Sequence, residues 1–127
     1  MTDDSIDRDV FNHLRWATAA VPGELACLYR DYLAEARQAL MQLREALTEK
    51  DAEKLRDRAH YLRGSSLIVG ATVIARSCAS LELMARNSEF ADAAALLDQT
   101  STALDAAEAK LTKRLGPTVV PVEGSAA

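Results

Sequence analysis

Hydrophobic residues recur every three or four positions along most of the chain, which is the spacing of helices with one buried face. Glycines, prolines and polar pairs interrupt this pattern at Pro22-Gly23, Lys50-Asp51, Gly70, Asn87-Ser88 and Gly116-Pro117. The intervals predict five helices, over about residues 5–20, 24–48, 52–69, 72–86 and 88–115. Asp51 and Ser88 are the expected N-caps of the third and fifth helices, because short polar side chains accept hydrogen bonds from a first helical turn.

Each predicted helix has a stripe of apolar or small residues that we expect to face the core. The stripes are Ile6, Val10, Leu14 and Ala17; Leu25, Leu28, Tyr32, Ala36, Leu40, Leu43 and Leu47; Leu55, Ala59, Leu62, Ser66 and Val69; Ile74, Cys78, Leu81 and Ala85; and Leu97, Leu104 and Leu111. Two cysteines, Cys27 and Cys78, are far apart in sequence and lie in apolar helical contexts. We therefore expect both to be small core residues, not a disulfide or zinc ligands.

Short connections make successive helices antiparallel neighbours. The predicted fold is all-α: an antiparallel up-down-up-down four-helix bundle, with an additional short N-terminal helix alongside. Composition agrees, because alanine and leucine dominate and aromatic residues make up only 5% of the chain, whereas a β-sandwich favours β-branched and aromatic residues. We expect one domain over residues 1–115, followed by a disordered C-terminal tail over residues 116–127, where the helical spacing ends.

The charge balance excludes some classes of partner. The chain has 15 basic and 19 acidic residues and a formal net charge of −4, without the basic surplus of a nucleic-acid-binding domain. The polar opening MTDDSIDRD does not resemble a secretory signal, and no apolar run approaches the roughly 18 residues of a membrane span. The sequence therefore predicts a cytoplasmic protein that binds neither nucleic acid nor membranes.

The stretch AHYLRGSSLIVGA, residues 59–71, is an unusual helix. A glycine and two serines follow one another in the predicted third helix, and a glycine alone costs about 1 kcal/mol relative to alanine there. On a helical wheel His60 lies at the edge of the buried stripe, with Arg63 and Gly64 on its own face. A missing side chain beside a partly exposed imidazole favours close approach by another macromolecule.

The chemistry of this face is nucleophilic. A neutral imidazole offers one ring nitrogen with a free lone pair. The cation of Arg63, three residues on, would favour an anionic group such as a phosphoryl attached there. A glutamate or glutamine on a neighbouring helix could accept a hydrogen bond from the other ring nitrogen and so select the tautomer.

Residues 59–71 resemble the signature of histidine-containing phosphotransfer (HPt) domains, which act in multistep two-component relays. The matching positions are His60, Leu62, Arg63, Gly64, Ser65, Ser66 and Gly70. The flanks agree as well: Asp51 precedes the histidine helix as in the family, and residues 81–86 read Leu-Glu-x-x-Ala-Arg. The resemblance covers about residues 25–88.

The resemblance implies a role for each matching residue. His60 would accept a phosphoryl group from a receiver-domain aspartate on its distal ring nitrogen and pass it to another receiver. Arg63 would stabilise the charge of the phosphoryl group, and Gly64 would let the receiver approach. Glu82 occupies the position at which many members place a polar residue, often glutamine, that hydrogen-bonds the proximal ring nitrogen.

The resemblance also implies what the partner supplies. The chain has no Gly-rich phosphate loop and no carboxylate trio for Mg²⁺, so it would be a phosphoryl carrier without an ATP site, not an enzyme or a holder of cofactors. The aspartate and Mg²⁺ would belong to the receiver domain of a response regulator or hybrid histidine kinase. Arg56, Leu67, Leu14 and Val21 are the expected interface residues, and the protein is expected to be a monomer.

The sequence leaves two alternatives open. The bundle could be a non-phosphorylated interaction module that docks a signalling partner, although docking alone does not require an imidazole beside Arg63 and Gly64. Alternatively, Asp57-x-x-His60 has the spacing of ligand pairs in di-iron bundles, which need a second such pair. His13 has neither a basic residue at +3 nor a following glycine, and we expect it to be a surface residue.

Overall fold

Helices account for most of the described chain. A computed structural model describes residues 5–121, which form five α-helices and one 3-10 turn, Pro117–Val119, with no strand among them. The helices are α1 (Arg8–Ala17), α2 (Glu24–Glu49), α3 (Ala52–Val69), α4 (Thr72–Arg86) and α5 (Ala93–Leu115). The predicted all-α class is confirmed. No helix of residues 5–121 has both the length and the apolar character needed to cross a membrane.

Helices α2 to α5 form the bundle. Each packs against the next in chain order, and α5 returns to pack against α2, while α1 lies against α3. The connections at residues 50–51, 70–71 and 87–92 are short, so neighbouring helices run in opposite directions. The four-helix bundle with an additional N-terminal helix is therefore confirmed.

Side chains and backbone geometry at the helix ends explain where the helices begin and stop. Asp51 caps α3 as predicted, because its carboxylate accepts a hydrogen bond from the Lys54 N–H at 3.0 Å. The predicted cap at Ser88 is wrong: this residue has a φ of 52° and its N–H donates to the Ala85 carbonyl, so it terminates α4. Helix α5 starts four residues later than that cap would require, at Ala93.

The predicted apolar stripe of α3 is buried in full, from Leu55 to Val69. The stripe of α1 was wrong in part, since Phe11 is the buried residue of that helix and Ala17 is exposed. Cys27, expected in the core, is also exposed, whereas Cys78 is buried. Apolar residues recur with the same spacing in these helices, so spacing alone does not select the buried face of α1. That face depends on where this short helix docks.

The docking of α1 and α2 holds the end of α3 in place. The Asp7 N–H donates to the Gly70 carbonyl at 2.7 Å, and the buried Tyr29 hydroxyl donates to the Val69 carbonyl at 3.0 Å. One turn earlier, the hydroxyls of Tyr32 and Ser66 are hydrogen-bonded at 2.7 Å. Helix α3 is therefore attached through polar contacts as well as apolar packing.

The chain after α5 also packs against the bundle. The 3-10 turn Pro117–Val119 contacts α2 and α5, and Val119 is fully buried in the core. The predicted disorder is therefore wrong for these three residues, because a valine that fills the core offsets the entropy of ordering a short segment. Residues 122–127, which that prediction also covers, lie outside the described residues.

Candidate functional site

His60 lies on the outer face of α3, where its side chain is 75% exposed. The buried stripe of α3 passes beside it through Ala59 and Leu62, which places the imidazole at the boundary between the bundle and solvent. One edge of the ring faces α4. The other edge is open to an approaching partner.

Glu82 of α4 contacts the inner edge of the ring. Its Oε1 lies 2.8 Å from Nδ1 of His60, and its side chain is only 9% exposed. A carboxylate can only accept a hydrogen bond, so this contact places the imidazole proton on Nδ1. Nε2 then has its lone pair free and directed away from α4, as a nucleophile requires.

Arg63 completes a hydrogen-bonded group of three residues. Its Nη1 donates to Oε2 of Glu82 at 2.7 Å, so the two carboxylate oxygens bind two different side chains. The arginine side chain is 40% exposed, and its guanidinium lies between the buried carboxylate and solvent. The structure thus brings together His60, Arg63 and Glu82, which lie on two helices.

Gly64 is exposed, one turn after His60. A Cβ atom added there would meet nothing within 4 Å. The protein's own packing therefore does not require a glycine at this position, and the absent side chain leaves the helix backbone accessible beside the imidazole.

The two serines that follow have different surroundings. Ser66 is buried against Tyr32, while the hydroxyl of Ser65 bonds back to the Leu62 carbonyl at 3.2 Å. Both hydroxyls are therefore used within the bundle. The poor helix formers at positions 65 and 66 have a structural explanation that Gly64 lacks.

The predicted interface residues differ in exposure. Arg56 and Leu67 are both exposed on α3, one turn before and two turns after His60. Val21, in the connection between α1 and α2, is 54% exposed, whereas Leu14 is partly buried against the core. These last two residues lie outside the group formed on α3 and α4 by His60, Arg63 and Glu82, which we call the α3–α4 group. Leu14 exposes only part of its side chain to a partner.

Sequence reasoning missed several exposed apolar side chains on the same two helices. Tyr61, Ile68 and Leu83 are 52%, 69% and 55% exposed. Tyr61 and Ile68 lie seven residues apart, and therefore on one face of α3, which is the signal that could have found them. The Tyr61 hydroxyl donates to Glu35 at 3.3 Å, and the charge of this carboxylate raises the pKa of the phenol.

The sequence also raised Asp57 and His60 as a pair of metal ligands, and His13 as a second histidine. Within residues 5–121, no three His, Cys, Asp or Glu side chains form a group that could hold a metal ion. Oδ1 of Asp57 instead lies 3.6 Å from Nη2 of Arg56, in an exposed ion pair. His13 is exposed on α1, as predicted.

Comparison with known proteins places this geometry in a family. The family model of the Hpt domain matches residues 28–110, a range that contains the whole α3–α4 group. The fold is similar to the crystal structure of histidine-containing phosphotransfer protein B (HptB) from Pseudomonas aeruginosa PAO1. That match has a TM-score of 0.81 and 26% sequence identity, and covers 89% of this chain and 96% of the other. A search of curated proteins gave no significant match. On the family match over most of its length, this chain belongs to the Hpt domain family.

Proposed function

We propose that this Hpt domain is a phosphorelay intermediate, in which Nε2 of His60 accepts a phosphoryl group from a receiver-domain aspartate and passes it to another receiver. Hpt domains are phosphocarriers and not kinases. The observation that supports the residue assignment is the hydrogen bond of Nδ1 to Glu82, which leaves Nε2 unprotonated on a ring that is 75% exposed.

The proposed step is a reversible exchange of one bond for another. The Nε2 lone pair attacks the phosphorus of an aspartyl phosphate, the N–P bond forms, and the bond between phosphorus and the aspartate oxygen breaks. The proton on Nδ1 stays hydrogen-bonded to Glu82, whose negative charge stabilises the positive charge that develops on the ring. The receiver supplies the aspartate and the Mg²⁺ bound beside it.

The surface around His60 is suited to a protein partner. Gly64 leaves the backbone open, and Leu67 adds an exposed apolar side chain on the same face of α3. Arg56, also exposed there, would favour the acidic pocket of a receiver by charge complementarity. Val21 and the accessible part of Leu14 would extend this interface. A monomer acting in the cytoplasm belongs to the same proposal.

The test is phosphoryl transfer from a labelled receiver domain in the presence of Mg²⁺. We expect label on the protein that is acid-labile and alkali-stable, as a phosphohistidine is, and no label on the His60→Gln variant. The His13→Gln variant is the matched control, because His13 is also an exposed helical histidine, and it should accept label normally. Binding of receivers without transfer would instead support the docking module, and label on His60→Gln would overturn the site assignment.

A further inference from the structure

Glu82 is a nearly buried carboxylate, and such a charge is costly without a compensating partner. Within residues 5–121, the cationic groups in ion-pair contact with it are Arg63, at 2.7 Å, and His60 when that ring is protonated. The nearby Cys78 adds no charge at neutral pH, because burial, with a smaller contribution from Glu82, raises the pKa of its thiol to about 12. Arg63 is therefore the permanent counter-charge of Glu82.

We propose that Arg63 is a positioning residue that acts on His60 through Glu82, by holding the carboxylate in the orientation in which Oε1 accepts the Nδ1 proton and Nε2 keeps its lone pair free. The inference rests on the proposed function of His60 as the phosphoryl acceptor. It differs from the direct contact with the phosphoryl group that the family resemblance implies for Arg63.

The position of the ring proton depends on how Glu82 is held. Arg63 contacts Oε2, and the other carboxylate oxygen contacts Nδ1 of His60. Without Arg63, the carboxylate loses the contact that orients it, so Oε1 no longer fixes the imidazole proton on Nδ1. The other neutral tautomer, with the proton on Nε2, then becomes accessible. In that tautomer Nε2 has no free lone pair, so it cannot attack phosphorus.

Arg63 also matters after transfer. The phosphoryl group on Nε2 and the carboxylate of Glu82 lie at opposite edges of one imidazole, and their negative charges repel each other in a partly desolvated site. The guanidinium on Oε2 neutralises the carboxylate and reduces that repulsion. A glutamine at position 82 would have no charge to neutralise.

A double-mutant cycle with Arg63→Ala and Glu82→Gln tests the proposal. Glutamine retains an oxygen that can accept a hydrogen bond from Nδ1, but it requires no counter-charge. We expect Arg63→Ala to slow transfer from a receiver roughly tenfold in the wild-type background and to have little further effect in the Glu82→Gln background. An equal loss in both backgrounds would overturn the proposal, because it is the result expected if Arg63 contacts the phosphoryl group directly.

A second readout needs no phosphoryl transfer. Nitrogen NMR of the unphosphorylated protein at neutral pH should show Nε2 of His60 unprotonated in the wild type and protonated in a larger fraction of Arg63→Ala. The double variant Arg63→Ala with Glu82→Gln should return to the wild-type pattern, and Arg63→Lys should restore it in part. Arg63→Met, which keeps the aliphatic stem, serves if the alanine variant folds poorly. An unchanged imidazole spectrum in a folded Arg63 variant would overturn the inference, even if His60 proved not to be phosphorylated.

Discussion

Gly64 and Gly70 lie six residues apart, and the structure gives them different reasons to be glycine. Gly70 has a φ of 82° and ends α3, whereas Gly64 has no positive φ and an added Cβ there would meet open space. Folding therefore explains Gly70, whereas the packing around position 64 does not require a glycine there. Under the proposed function, Gly64 instead serves the approach of a receiver.

Substitution at Gly64 should separate stability from transfer. Gly64→Ala is expected to raise the free energy of unfolding by up to about 1 kcal/mol, since alanine is the better helix former, while slowing phosphoryl transfer. Gly64→Leu should slow transfer further, because a larger side chain blocks the receiver's approach. Urea unfolding and the transfer assay measure the two effects. Loss of stability in proportion to loss of transfer would contradict this explanation.

The buried thiol of Cys78 predicts a dependence of stability on alkaline pH. Its pKa rises from 9.0 to about 12, chiefly through burial, so the folded state keeps the thiol protonated when the unfolded state would ionise. The stabilisation is complete below pH 9 and is lost progressively as pH rises towards 12. Cys78→Ala should therefore show a shallower fall of unfolding free energy over this range than the wild type. Cys27→Ala, the same substitution at an exposed cysteine, is the matched control.

At the scale of helices, the contact between α1 and the end of α3 is closely fitted. A Cβ at Gly70 would lie 2.9 Å from Cβ of Val10 and 3.2 Å from Cβ of Asp7. Asp7 also caps α1, through its carboxylate and the Val10 N–H at 3.0 Å. The start of α1 and the end of α3 therefore share one tight junction.

Two glycine substitutions measure the contribution of this junction. Gly70 and Gly23 both have a φ of 82°, but a Cβ at Gly23 would meet nothing within 4 Å. Gly23→Ala should cost only the backbone strain, about 1–2 kcal/mol, and Gly70→Ala should cost more because α1 must also move. The two free energies of unfolding, compared in urea, give the difference. Equal free energies of unfolding would mean that α1 moves away from residue 70 without loss of stability.

At the scale of the whole molecule, the 3-10 turn that follows α5 packs as part of the bundle. Val119 is fully buried and the next residue, Val120, is 39% exposed. These two valines are a matched pair of the same residue type with different burial. Their comparison measures what burial of Val119 contributes to the bundle.

Alanine substitution of each valine tests that statement. Val119→Ala should lower the free energy of unfolding by about 1–2 kcal/mol, through lost burial and the cavity left behind. Val120→Ala should have little effect. Unfolding in urea compares the two, and an equally small effect at both positions would mean that the 3-10 turn does not stabilise the bundle.

The helices and the core stripe of α3 were predictable because both depend on the spacing of apolar residues, which recurs with every helical turn. The placement of His60, Arg63 and Gly64 on one face of α3 followed from the same helical spacing. By itself the sequence therefore determined the all-α bundle and the face of α3 on which His60 lies.

The tertiary structure decided which groups meet across helices. The pairing of Arg63 with Glu82 depends on the register of α4 against α3, and no spacing within one helix encodes that register. The buried face of α1, the exposure of Cys27 and the burial of Val119 likewise depend on where short segments dock on the completed bundle. Short segments have few apolar contacts of their own, so the surface they pack against selects their conformation and their buried side.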